Sequence, residues 1–241
     1  MEPESFQVVR LLDDGTELVL DGEAAGQGPP VVLLHGLSAT RRNVVQGSRA
    51  LARRGYRLIA YDARGHGASS AAPNYAYQDL VEDLEAVLAD LGIDRVALVG
   101  SSMGAATAMA SGLERGGVDA FVDVAQPAGA GEDWRKIARE AVRQRMERHE
   151  HPLEVARALR QTPRSAAWDG LEALRQVETP VLIVASRDEM DHLHPMGLAR
   201  EYERLLPNAE LVVEEQGKSP LAWQGARLSG VIADFFERVG Y

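Results

Sequence analysis

Val96-Ala97-Leu98-Val99-Gly100-Ser101-Ser102-Met103-Gly104 decides the fold of this chain. Four consecutive apolar residues of buried-strand type run into a Gly-x-Ser-x-Gly turn, and a helix rich in Ala and other small residues follows from Ser102 to Leu113. As a bare string the turn is weakly specific. Between a strand and a small-residue helix it is a nucleophile turn, because the two glycines let strand and helix pass close while the serine backbone is strained. That geometry raises the Ser102 hydroxyl above the sheet edge, at a helix N-terminus whose dipole favours developing negative charge. Ser101 is out of register with the flanking glycines.

The segments around this turn alternate strand and helix. Upstream, residues 6–12 and 16–20 flank an Asp-Gly turn signal and predict a hairpin. Val31–Leu34, Tyr56–Tyr61 and Phe121–Val124 read as strands, with helices expected over about 41–54 and from Ala76 to Leu91. Downstream, strands at Pro180–Val184 and Leu211–Val213 alternate with helices at about 195–206 and Leu221–Arg238. This rhythm predicts an α/β domain with a mostly parallel sheet covered by helices on both faces. It breaks between about 130 and 175, where two charged, Arg-rich helices predict a small cap inserted over one end of the sheet. One domain is expected over residues 1–241.

Three further segments resemble the α/β-hydrolase superfamily, and with the turn they carry the resemblance over nearly the whole chain. Val31-Val32-Leu33-Leu34-His35-Gly36-Leu37 is similar to the strand and His-Gly loop that supplies one oxyanion-hole amide. Residues Tyr61–Ser69 resemble the family's D-x-R-G-x-G-x-S loop, and Pro180–Asp188 the strand whose following turn holds the catalytic acid. The resemblance implies an α/β-hydrolase fold and a serine hydrolase acting on a small ester, thioester or related acyl compound without a cofactor. Ser102 is then the nucleophile, the amides of Met103 and Leu37 the oxyanion donors, and Asp188 the acid, with Asp191 as runner-up. His35 and His66 occupy positions that shape loops in the family.

The family's base follows the last strand in a Gly-His motif. Here that stretch reads Gln216-Gly217-Lys218-Ser219-Pro220, with Lys218 in the histidine position and no histidine after His194. Four resolutions stand open. Lys218 serves as base after burial lowers its pKa, although a neighbouring Asp188 would hold it protonated. His192 or His194 enters from the acid loop. His149 or His151 reaches down from the cap. Otherwise the chain is a pseudo-hydrolase or small-molecule binding protein that keeps the pocket without efficient proton transfer.

Trp134 and Trp168, in the cap, are candidates to line a substrate pocket or to glue the cap to the sheet. The arginines between 135 and 148 are spread with intervening glutamates and read as a solvated face. With 36 acidic against 26 basic residues the net charge is −10, which disfavours nucleic-acid and membrane partners. The absence of cysteine excludes disulfides and thiolate chemistry. No residue cluster has metal-ligand spacing that the turns do not explain, and no phosphate-binding glycine loop is present. No secretory pattern opens the chain, so a cytoplasmic location is expected.

Overall fold

The computed structural model describes residues 2–37, 39–44, 50–114, 117–124, 163, 165–185, 194–213 and 225–241. Within them the chain forms strands β1 (Glu4–Leu11), β2 (Glu17–Ala25), β3 (Pro30–Leu34), β4 (Arg57–Tyr61), β5 (Val96–Ser101), β6 (Val118–Val124), β7 (Val181–Ala185) and β8 (Ala209–Val213). The helices are α1 (Ala50–Arg53), α2 (Tyr77–Asp90), α3 (Met103–Glu114), α4 (Met196–Leu205) and α5 (Gly225–Val239), with a 3-10 helix over Leu171–Gln176. The strands make one sheet in the order β1-β2-β4-β3-β5-β6-β7-β8. Pairings β1–β2 and β2–β4 are antiparallel; from β4 to β8 every pairing is parallel.

Both faces of the parallel strands are covered, so those strands are continuous apolar runs rather than alternating ones. Val32, Leu34, Leu98, Phe121 and Ile183 face one core with Leu84, Val87 and Leu88 of α2 and Met109 of α3. Val31, Leu33, Val99, Val122 and Leu182 face the other, against Leu228, Ile232 and Phe236 of α5. The sheet therefore rises from the chain's own alternation, and its strand ends at Leu34, Ser101 and Ala185 gather on one edge.

Helix α2 shows how local chemistry sets the boundaries. Asp79 accepts the Ala76 backbone N–H at 2.8 Å and caps the start. Gly92, at φ 64°, turns the chain out in a left-handed conformation, with Ile93 N–H bonding to Leu88 O at 2.8 Å and Gly92 N–H to Ala89 O at 3.1 Å.

One expected element differs. Residues 41–44 are a turn, not the start of a helix, and helical structure in this region is seen at Ala50–Arg53. The cause is tertiary: the Arg41 backbone N–H is drawn to Asp62 Oδ1 at 2.8 Å, across 21 residues. Of the expected cap over about 130–175, residues 130–162 lie outside the described residues.

Candidate active site

Strand β5 is buried along its full length and ends at the turn. A Cβ at Gly100 would collide with the Ala105 backbone, and one at Gly104 with the Leu34 carbonyl. Strand and helix pass so closely that only hydrogen fits at either position. Ser102 between them has φ 51°, the one positive φ at a non-glycine residue among the described residues. Such a conformation costs about 1–3 kcal/mol, held by the surrounding packing.

Ala106 N–H bonds to Ser102 O at 3.0 Å, which makes Ser102 the N-cap of α3. The amides of the first turn, Met103 among them, therefore have no partner within the helix and sit at its positive end. On the other side the His35-Gly36-Leu37 loop lies against the turn. A Cβ built on Gly36 would be 3.2 Å from Ser101 O and 3.5 Å from the Ser102 Cβ.

The Gly36–Leu37 peptide is oriented from behind. Gly36 O lies 2.8 Å from His35 Nδ1 and accepts Ala39 N–H at 3.1 Å, while His35 Nε2 accepts Ala63 N–H at 2.9 Å. These partners place the ring proton on Nδ1. Because the peptide is planar and trans, fixing Gly36 C=O also fixes the direction of Leu37 N–H, which points the opposite way. Both ring nitrogens of His35 are thus engaged, and burial pushes its pKa below the usual imidazole value. His66, 4.9 Å away between ring centroids, donates from Nδ1 to Arg64 O at 2.9 Å. Burial, reinforced by His35, lowers His66 to about 4. These two histidines shape loops.

The Tyr61–Ser69 segment is structural in the same way. Asp62 accepts N–H groups of Arg41 and Ala68, and Ser69 Oγ donates to Asp62 O at 2.5 Å. Arg64, 1% exposed, forks onto Asp83 through Nε at 2.7 Å and Nη2 at 2.8 Å. Arg10 also pairs with Asp83.

The basic group beside the Ser102 hydroxyl is His194. Its Nε2 lies 2.8 Å from Ser102 Oγ, a contact between residues 92 apart in sequence. His194 sits just before Pro195, the N-cap of α4, and that helix is anchored by buried Ala199, Tyr202 and Leu205. Packing of α4 on the sheet thus positions the imidazole. A serine hydroxyl donating to an imidazole lone pair is the arrangement from which a base removes the proton as the oxygen attacks.

Of the other residues singled out from sequence, Asp188, Asp191, His192, Lys218, Trp134, His149 and His151 lie outside the described residues. Trp168 is 8% exposed and packs edge-to-face on Tyr202, ring centroids 6.4 Å apart. Its ring belongs to the hydrophobic core beside α4. No grouping of three or more potential metal ligands occurs among the described residues, and none of their helices is long and apolar enough to cross a membrane.

A family model described as the α/β hydrolase fold matches residues 29–168. The chain belongs to this family. The matched span holds the His35-Gly36 loop and the Ser102 turn, and ends before His194. Among curated relatives, sn-1-specific diacylglycerol lipase ABHD11 of Mus musculus is 40% identical over 98 residues, 40% of this chain and 31% of that one. The matched stretch spans about a third of the length of such relatives. Rv0554 of Mycobacterium tuberculosis shares the fold with a TM-score of 0.80 at 21% identity, over 97% of this chain and 99% of that one. A thermophilic esterase from Thermogutta terrifontis superposes with a TM-score of 0.78 at 21% identity, over 99% and 100% of the two chains.

Proposed function

We propose that the protein is a serine hydrolase of small esters, thioesters or related acyl compounds, in which Ser102 is the nucleophile and His194 the general base. The observation that carries this reading is the 2.8 Å approach of His194 Nε2 to Ser102 Oγ. Around it, the chemistry follows in order. His194 takes the hydroxyl proton as Oγ attacks the acyl carbon, and the oxyanion meets the backbone amides of Met103 and Leu37. Each such donor contributes a factor of about 10²–10³ in rate. His194 then protonates the leaving group, water attacks the acyl-enzyme, and the proton returns. Asp188 or Asp191, on the connection that ends at His194, is the carboxylate to orient the ring.

The kinship with a lipase at 40% identity over part of the chain supports acyl chemistry. The test is hydrolysis of p-nitrophenyl acetate and butyrate. Ser102→Ala abolishes turnover, and His194→Gln lowers kcat by about 10³-fold or more. Activity that survives His194→Gln and vanishes in Lys218→Ala assigns the base to Lys218 and overturns the reading.

The second reading, a site that binds or acylates without turning over, is favoured by Lys218 at the position where the family carries histidine. Intact-mass spectrometry separates the two. Product release with no lasting adduct supports turnover, whereas a stable acyl adduct on Ser102 supports a stalled site.

A further inference from the structure

The peptide that presents Leu37 belongs to a loop with a second anchor, which neither the family motif nor the proposed chemistry uses. After Gly36 the chain makes two successive turns. Ala39 N–H bonds to Gly36 O at 3.1 Å, and Asn43 N–H to Thr40 O at 2.9 Å. Thr40 N–H and Oγ1 both reach the Asn43 side-chain oxygen, at 2.9 and 3.0 Å. Stacked turns of this kind are compact but float unless something ties them down.

Arg41 is that tie. Its backbone N–H donates to Asp62 Oδ1 at 2.8 Å and its Nη1 to Asp62 Oδ2 at 2.6 Å. The same Nη1 lies 3.1 Å from Asp21 O and 2.8 Å from Asp21 Oδ1, and Nε is 3.8 Å from Glu23 Oε2. Asp62 is 3% exposed, and Asp62 N–H itself bonds to Asp21 O at 2.9 Å. Arg41 therefore grips the end of the β2–β4 pairing at both partners of one backbone contact. The side chain is 14% exposed, so these charge-assisted bonds are shielded from water and stronger than surface pairs.

We infer that Arg41 is a positioning residue for the oxyanion hole: by holding residues 39–43 onto Asp62 and Asp21, it fixes the loop whose other end presents Leu37 to the acyl oxygen. The inference rests on the serine-hydrolase reading. An oxyanion donor acts within about 2.7–3.1 Å of the oxygen, and a displacement near 1 Å costs on the order of 10²-fold in rate. Loosening this anchor raises the barrier without altering the nucleophile, the base or the acyl pocket.

The test uses the full chain with Arg41→Gln, Arg41→Lys and, as a charge control, Arg54→Gln, whose side chain pairs with Asp234 and Glu237 in an exposed position. Sites are counted by fluorophosphonate labelling, so that rates refer to folded enzyme. Arg41→Gln is expected to lower kcat on p-nitrophenyl acetate by about 10- to 100-fold with KM within about threefold. Amide exchange over residues 35–44 should rise, Arg41→Lys should recover part of the rate, and Arg54→Gln should match the parent. A per-site kcat in Arg41→Gln equal to the parent's overturns the inference, as does a loss that merely tracks the count of folded sites. If the unsubstituted protein hydrolyses no ester at all, the hydrolase reading itself falls, and that result is read before any variant is made.

Discussion

His35 and His66 show how two side chains of the same chemistry as His194 are held in the loops that surround Ser102. Each is nearly fully buried, at 2% and 3% exposure, and each spends Nδ1–H on a backbone carbonyl. Protonating His35 would place a hydrogen where Ala63 N–H already donates, so acid breaks the link between the loops after β3 and β4. His66 titrates near 4 when folded, against 6.5 for an unconstrained imidazole. Between those values the unfolded chain binds a proton that the folded chain does not. Stability from His66 is therefore complete above about pH 6.5 and declines as the pH falls from there towards 4, where the loss has reached up to about 3 kcal/mol. Urea midpoints measured from pH 7.5 to 4 should decline, and His66→Asn should flatten that decline; an unchanged slope in the variant contradicts the assignment. The sequence placed both histidines in loop-shaping roles by resemblance. It left His194 as one alternative among several, because nothing local to residues 186–194 announces a partner 92 positions away.

At the scale of elements, the crossing of α3 over β3 and β5 is the feature on which the site depends. The glycines at 100 and 104 were legible as a motif, and their physical reason is the missing room for a methyl group. Gly104→Ala would drive its Cβ into the Leu34 carbonyl, and backbone cannot yield as a flexible side chain does. The expected loss is about 2 kcal/mol or more, with a matching fall in kcat as Ser102 leaves His194. Gly230, inside α5, is the counter-example: a Cβ there meets nothing within 4 Å. Gly230→Ala should stabilise the fold by about 0.5–1 kcal/mol, since it removes unfolded-state entropy without strain. Thermal or urea denaturation of the pair checks both signs. The pattern of residues 41–44 reads as helix in the sequence, because its partner Asp62 lies in the loop after β4 and helical periodicity carries no trace of it.

Across the whole molecule, Tyr241 ties the last helix to two central strands of the sheet. The Tyr241 hydroxyl donates to Pro30 O and accepts Ala97 N–H at 3.0 Å, bridging the starts of β3 and β5 at the edge opposite Ser102. Its ring stacks on Tyr56, with centroids 6.2 Å apart, and meets Phe236 edge-on at 5.3 Å. Partial burial raises the phenol to about 12. Tyr241→Phe keeps the ring and strips two backbone groups of their partner, so a destabilisation of about 1–3 kcal/mol is expected in urea. Because this contact lies at the far edge, kcat per folded site should stay unchanged.

The amino-acid sequence by itself determined the strand–turn–helix alternation, the parallel sheet and the place of Ser102, because those depend on short-range patterns of apolar residues and glycine. The His35-Gly36 loop that lies against this turn was legible in the same way. Only the tertiary structure decided which imidazole meets Ser102, why His35 and His66 do not, and what Arg41 holds. Those outcomes rest on contacts between distant segments, fixed by how α4 packs on the sheet and where the β4 loop offers Asp62. The Ser102 turn is a local property of the chain; its contact with His194 is a property of the fold.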